Sequence, residues 1–146
     1  ETDSIIREID DPYIVGFSCC IWNLRFNLAL AEKIKTAYPD CIIVFGGHSV
    51  TNDNSLLKQY PFIDILMFGE GERTFLQLLE SIEDSTLLSV NNISFRRNGH
   101  IITTPETPPG NLDELPSPYI SGIFDDILEK ERENFITGNY TGYSET

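Results

Sequence analysis

Apolar residues fall into two alternating patterns along the first half of the chain. "YIVGFS" (residues 13–18), "CIIVFGG" (41–47) and "IDILMFG" (63–69) are short, nearly unbroken apolar runs. Runs of this length suit strands buried on both faces of a parallel sheet. Between them the period changes. Leu24, Leu28, Ala31 and Ile34 return at helical spacing, with Asn23 placed to cap the helix and Pro39 and Asp40 to close it. Residues 53–60 read as a short helix stopped by Pro61, and Phe75, Leu78, Leu79 and Ile82 mark another. Residues 4–9 read as the end of a helix halted before Pro12. Strand alternating with helix predicts right-handed parallel βαβ units: an α/β parallel sheet with helices on both faces.

The alternation breaks near residue 88. "NISFRR-NG-HIITT" reads as two strands about an Asn98-Gly99 type I′ turn. A proline-rich stretch, 105–118, reads as an extended linker, residues 123–135 as an acidic helix, and the tail as irregular. The expected division is therefore an α/β domain over 1–88, and a hairpin, linker and acidic helix over 89–146. Sheets of this kind usually hold about five or six strands. Finding three before the break predicts a chain that starts inside its domain, truncated at the N-terminus of the sheet.

Composition narrows the chemistry. A formal net charge of -13 over 146 residues argues against nucleic acid, whose binders present a basic face. No apolar run reaches the roughly 20 residues of a membrane span. The three cysteines, Cys19, Cys20 and Cys41, form no metal or cluster spacing. Their sparse, odd count fits a reducing, cytoplasmic setting.

In an open parallel sheet, ligands lie beyond the carboxyl ends of the strands. The loops leaving those ends carry Ser18, Cys19 and Cys20; Gly46, Gly47 and His48; and Gly69, Glu70, Gly71 and Glu72. These are the candidate binding residues. Each also has a plainer reading: Ser18 as a turn residue, the glycines as unusual dihedrals, His48 as an ordinary loop histidine and Trp22 as packing. A dinucleotide fold is disfavoured. Thr74 stands where a third glycine would be, and Glu70 and Glu72 would face a pyrophosphate. Glu72 suits a helix N-terminus instead.

Taken together, these pieces resemble the cobalamin-binding domain that precedes the catalytic barrel in cobalamin-dependent radical S-adenosylmethionine enzymes. "DPYIVGFS", "LALAEKIKTAYPDCIIVFGG" and "FIDILMFGEGERTFLQLLE" are similar to successive family segments. "ISFRRNGHIITT" and "NLDELPSPY" resemble the hairpin and linker leading towards the barrel, and "SET" at the end resembles the lead-in to its cluster loop. The resemblance implies a flavodoxin-like (Rossmann-like) fold, with a cobalamin tail entering beside the carboxyl ends of the strands. Ser18 then contacts the tail, Gly46 and Gly47 make room for it, and Cys20 stands in a position usually held by leucine. The histidine motif that ligates cobalt in broader cobalamin domains is absent, so no metal ligand is expected.

The resemblance further implies an S-adenosylmethionine molecule and a 4Fe-4S cluster in a barrel of the same polypeptide, downstream. There a carbon radical is made, and the cobalamin serves methyl transfer from methylcobalamin or a related reaction. This chain lacks the cluster cysteines and is expected to be inactive alone. Two alternatives stand beside this one. They are a vestigial scaffold that binds no cobalamin, and an unrelated flavodoxin-like nucleotide- or flavin-binding domain.

Overall fold

A computed structural model describes residues 2–83, 86–108, 111, 117 and 120–137. After α1 (Thr2–Glu8), the apolar runs form β1 (Ile14–Ser18), β2 (Ile42–Gly46) and β3 (Ile65–Met67). These pair parallel, with Val15 beside Ile43 and Val44 beside Ile65. The crossovers carry α2 (Leu24–Ala37) and α3 (Ser55–Gln59), and α4 (Gly71–Glu83) follows β3.

Strand alternation splits the core in two. Phe17, Ile43, Phe45 and Leu66 face Leu30 and Ile34 of α2 and Leu57 of α3. The Phe17 and Phe45 ring centroids lie 4.9 Å apart there. Val44, Ile65, Ile93 and Phe95 belong to the opposite cluster, with Leu78 of α4 and, partly buried, Phe75 and Ile82. Helices therefore flank both faces, as the unbroken apolar runs predicted. The fit of α4 is narrower than its sequence period suggested, because Leu78 is buried while Leu79 remains 39% exposed.

The hairpin extends the sheet. β4 (Ile93–Arg97) and β5 (His100–Thr103) are joined through Asn98 (φ 51°) and Gly99 (φ 79°), the left-handed pair that a type I′ turn requires. β4 also pairs antiparallel with β3, setting Phe95 beside Ile65, so the five-stranded order is β1-β2-β3-β4-β5. The first compact unit consequently runs from Glu1 to Pro109. The boundary expected at residue 88 falls inside it. Periodicity marks where helices give way to strands, but it does not say which strands pair.

The ends of the strands remote from the loops named above are fastened by Asp64. Its carboxylate accepts the Ile43 N–H (2.7 Å) and the Lys35 ammonium (2.9 Å), and Lys35 also donates to the Cys41 carbonyl (2.7 Å). The second unit, Gly110–Thr146, contains α5 (Asp125–Thr137), which is the expected acidic helix. Its first turn carries Asp125 and Asp126, favourable at the positive end of the helix dipole. Most of the expected linker, and the tail from residue 138, lie outside the described residues.

Candidate functional site

At the carboxyl ends of β1 and β2 the loops are closed onto each other by backbone bonds. The Cys19 N–H donates to the Gly46 carbonyl (2.7 Å), the Ser49 N–H to the Cys19 carbonyl (2.9 Å), and the Val50 N–H to the Gly47 carbonyl (3.0 Å). Gly47 holds φ +97°, and a Cβ there would sit 2.8 Å from both the nitrogen and the oxygen of Cys19. Its glycine is thus required by the chain itself.

The first loop is held from behind by α2. Asn23 and Asn27 both donate side-chain N–H groups to the Ser18 carbonyl, at 3.0 and 3.1 Å. Asn23 Oδ1 also accepts the Cys20 N–H at 2.7 Å. Asn23 occupies the expected N-cap position, but its side chain makes no capping bond into the helix and ties down the loop instead. Two asparagines one turn apart therefore fix where Ser18 points. The Ser18 residue is exposed, and its hydroxyl makes no hydrogen bond among the described residues.

Ser18 lies beside Gly46 in the parallel register, and Gly16 lies beside Val44. By alternation, Gly16, Ser18 and Gly46 share the α4 face. The result is a strip almost free of side chains, bordered by Phe75 and Met67. Gly16 is exposed, and a Cβ there would meet only Phe75, at 3.9 Å; Gly46 is buried, and a Cβ there would meet Met67 at its Cε (3.2 Å) and its carbonyl oxygen (3.5 Å). Gly16 was not among the residues singled out in the sequence. A glycine inside an apolar strand, the signal for close backbone approach, was nevertheless there in "VGFS".

The other candidates divide. Cys19 is fully buried in the α2 and α3 core cluster, so its side chain does not reach the site; only its backbone takes part. Burial pushes the Cys19 thiol up, against the partial pull of the Asn27 amide. Burial likewise raises the Cys41 thiol. Cys20 is partly buried, and Gly47 and His48 are exposed at the rim. Gly69 turns at φ +73° with open space around it, and Gly71 begins α4. Glu70 and Glu72 are exposed, with Glu72 in the first turn of α4. Nothing in the structure explains the charge of Glu70. Trp22, read as packing, is instead 81% exposed, beside Ile21 at 87%. Together they present an apolar surface at the same edge.

Burial and thiolate character govern thiol reactivity. Brief treatment of the folded protein with iodoacetamide should therefore alkylate Cys20 and spare Cys19 and Cys41, with all three reacting in urea. Peptide mass mapping reads the result. Labelling of Cys19 at the Cys20 rate in folded protein would contradict its place in the core.

Among the described residues, no group of three or more His, Cys, Asp or Glu side chains could hold a metal, and no helix is long and apolar enough to cross a membrane.

Comparison with known proteins agrees with this geometry. The B12 binding domain family model matches residues 1–79. The chain is 30% identical over 129 residues to the cobalamin-dependent radical SAM methyltransferase TokK of Streptomyces tokunonensis, covering 86% of this chain and 19% of TokK. It is 32% identical over 131 residues to 2-(S-pantetheinyl)-carbapenam-3-carboxylate methyltransferase of Streptantibioticus cattleyicolor, again covering 86% of this chain and 19% of that protein. The chain thus spans about a fifth of the length of these relatives. In fold it is similar to the apo, selenomethionine-labelled cobalamin-dependent S-adenosylmethionine radical enzyme OxsB. The TM-score is 0.65 at 20% identity, over 84% of this chain and 18% of that one. The strand order, the glycine-bearing edge and the match over residues 1–79 lead to one conclusion: the chain belongs to the B12-binding domain family.

Proposed function

We propose that this chain is the cobalamin-binding module of a radical S-adenosylmethionine enzyme, and that the tail of cobalamin lies along the strip made by Gly16, Ser18 and Gly46. The observation that carries this reading is that strip. It is exposed at Gly16 and Ser18, carries few side chains, and passes to buried Gly46 under the end of Met67, with an unpaired serine hydroxyl at its mouth. Ser18 donates or accepts a hydrogen bond with the tail, and Gly16 and Gly46 leave its path clear. Gly47 keeps the two loops closed, and the Cys19 backbone is part of that closure. Cys20, His48, Gly69, Glu70, Gly71 and Glu72 form the rim. Ile21 and Trp22 offer an apolar surface to a flat macrocycle.

The residues present fit that group better than a phosphate-rich cofactor. Exposed Glu70 and Glu72 would repel the pyrophosphate of a dinucleotide or the phosphate monoester of FMN more strongly than the singly charged phosphodiester of the cobalamin tail. When bound, cobalamin would serve methyl transfer, the reaction that the names of the two methyltransferase relatives give for those proteins. The work of this chain is to bind and orient it. S-adenosylmethionine and a 4Fe-4S cluster would be held by a barrel of the same polypeptide, in the cytoplasm, where the three free cysteines stay reduced.

The test is a titration of the full-length protein with hydroxocobalamin and, separately, with FMN, followed by visible absorbance. A saturable cobalamin shift without an FMN shift is expected. No cobalamin shift at saturating concentration would leave a scaffold role, and an FMN shift alone would leave a flavodoxin-like enzyme.

A further inference from the structure

After β5 the chain leaves the sheet through residues 104–108, which have no regular secondary structure. The first part of that stretch, together with Thr103, is nevertheless bonded at nearly every residue. Asn54 donates to Thr103 Oγ1 (2.9 Å), and Asn52 donates to Glu106 (3.1 Å). Thr104 Oγ1 accepts the Ile93 N–H (3.0 Å) and donates to the Ile93 carbonyl (3.1 Å). Most of the remaining bonds converge on Asn92. Its N–H donates to the Pro105 carbonyl (3.0 Å), its Oδ1 accepts the Thr107 N–H (2.7 Å), and its Nδ2 donates to Thr107 Oγ1 (2.9 Å).

Asn92 is also bonded to the segment that joins β3 to α4. Its carbonyl accepts the Phe68 N–H (3.0 Å), immediately before Gly69, and its Nδ2 reaches Thr74 Oγ1, at the end of the first turn of α4, at 3.5 Å. Asn92 is 8% exposed and Thr74 is 3% exposed. A buried amide with both of its polar ends engaged rigidifies what it joins. Its φ of 60° is a conformation that asparagine tolerates better than other residues with side chains. Thr74, which broke the dinucleotide pattern, thereby gains a place: its hydroxyl sits against this amide.

We propose that Asn92 is a positioning residue of the cofactor edge. It fixes residues 105–107 against the turn at 68–74, so that the loop bearing Gly69 and Gly71 and the stretch leaving the sheet are held as one piece. The link to cofactor affinity rests on the cobalamin reading above; the mechanical link does not.

The experiment uses the full-length protein with three variants. Asn92→Gly keeps the left-handed backbone and deletes the amide. Asn92→Asp keeps one acceptor for the Thr107 N–H and a second for its hydroxyl. Thr107→Val removes the hydroxyl and keeps the N–H. Amide hydrogen exchange and cobalamin titration are read on each. Asn92→Gly should speed exchange at Thr107 and across 69–74 together and weaken cobalamin binding about tenfold. Asn92→Asp should stay close to wild type, and Thr107→Val should show the same pattern at smaller amplitude. Faster exchange at Thr107 alone, with 69–74 and affinity unmoved, would reduce Asn92 to a local turn residue and overturn the proposal. Should the wild-type protein bind no cobalamin, the cofactor reading fails, and coupled exchange at 69–74 still decides the positioning role. If Asn92→Gly does not fold, the same readouts on Thr107→Val decide it.

Discussion

Gly47→Ala should unfold at a much lower urea concentration than wild type, with a loss of about 3 kcal/mol, whereas Gly69→Ala should lose only about 1 kcal/mol. Both glycines hold positive φ, +97° and +73°, so both substitutions meet the backbone penalty of a left-handed conformation. The difference is what surrounds them. The new methyl at Gly47 would lie 2.8 Å from the Cys19 nitrogen and oxygen, while nothing lies within 4 Å of one at Gly69. The atoms at Gly47 are backbone and are already engaged, since the Cys19 N–H and carbonyl make the bonds that close the two loops. They cannot retreat without breaking those bonds, each worth about 1 kcal/mol net. A domain whose whole stability is about 5–15 kcal/mol feels such a loss strongly. Cobalamin binding by Gly47→Ala should fall as well, because Ser18 and Gly46 lose their common register. Equal urea midpoints for the two alanine variants would show that the loop closure is not what demands glycine at 47.

The elements at this edge were legible to different depths. Strands and helices announced themselves through period, because a chain buried on both faces has no polar alternation to hide. Asn98-Gly99 announced its turn, because few other pairs adopt its backbone so readily. The partner of β4 could not be read, since antiparallel pairing with β3 depends on how α4 returns the chain. The inward direction of Cys19 was readable in principle. Phe17 is the bulky inward residue of β1, and two positions on puts Cys19 on the same side and Ser18 on the other. Asn23 was legible by position alone, for it stands at the N-cap while its side chain serves Ser18 and Cys20 instead of the helix. Trp22 was misjudged because burial is the common fate of tryptophan, and only the loop geometry shows it outside. The bonds of Asn92 span fifteen residues of sequence to Thr107 and left no local signal at all.

Gly16→Val should separate stability from binding. In the folded chain a Cβ at residue 16 meets only Phe75, at 3.9 Å, an ordinary contact, and Gly16 has no positive φ to protect. Replacing a strand glycine with a β-branched residue is favourable by up to about 1 kcal/mol, through lower backbone entropy in the unfolded chain and better packing. The urea midpoint should therefore hold or rise. The same side chain stands on the α4 face with Ser18 and Gly46, where the cobalamin tail is proposed to lie, and narrows the strip from the β1 side. Hydroxocobalamin affinity should drop about 100-fold, equivalent to about 2.8 kcal/mol. Ser18→Ala provides the graded comparison. It removes one hydrogen-bonding hydroxyl without filling the strip, so it should cost about tenfold or less. Paired urea and cobalamin titrations of the full-length variants test this. If Gly16→Val bound cobalamin as tightly as wild type, the tail would have to lie elsewhere on the edge. If affinity and stability fell together, Gly16 would be a folding requirement like Gly47. Only a stable protein that has lost its ligand assigns the open space beside α4 to the cofactor.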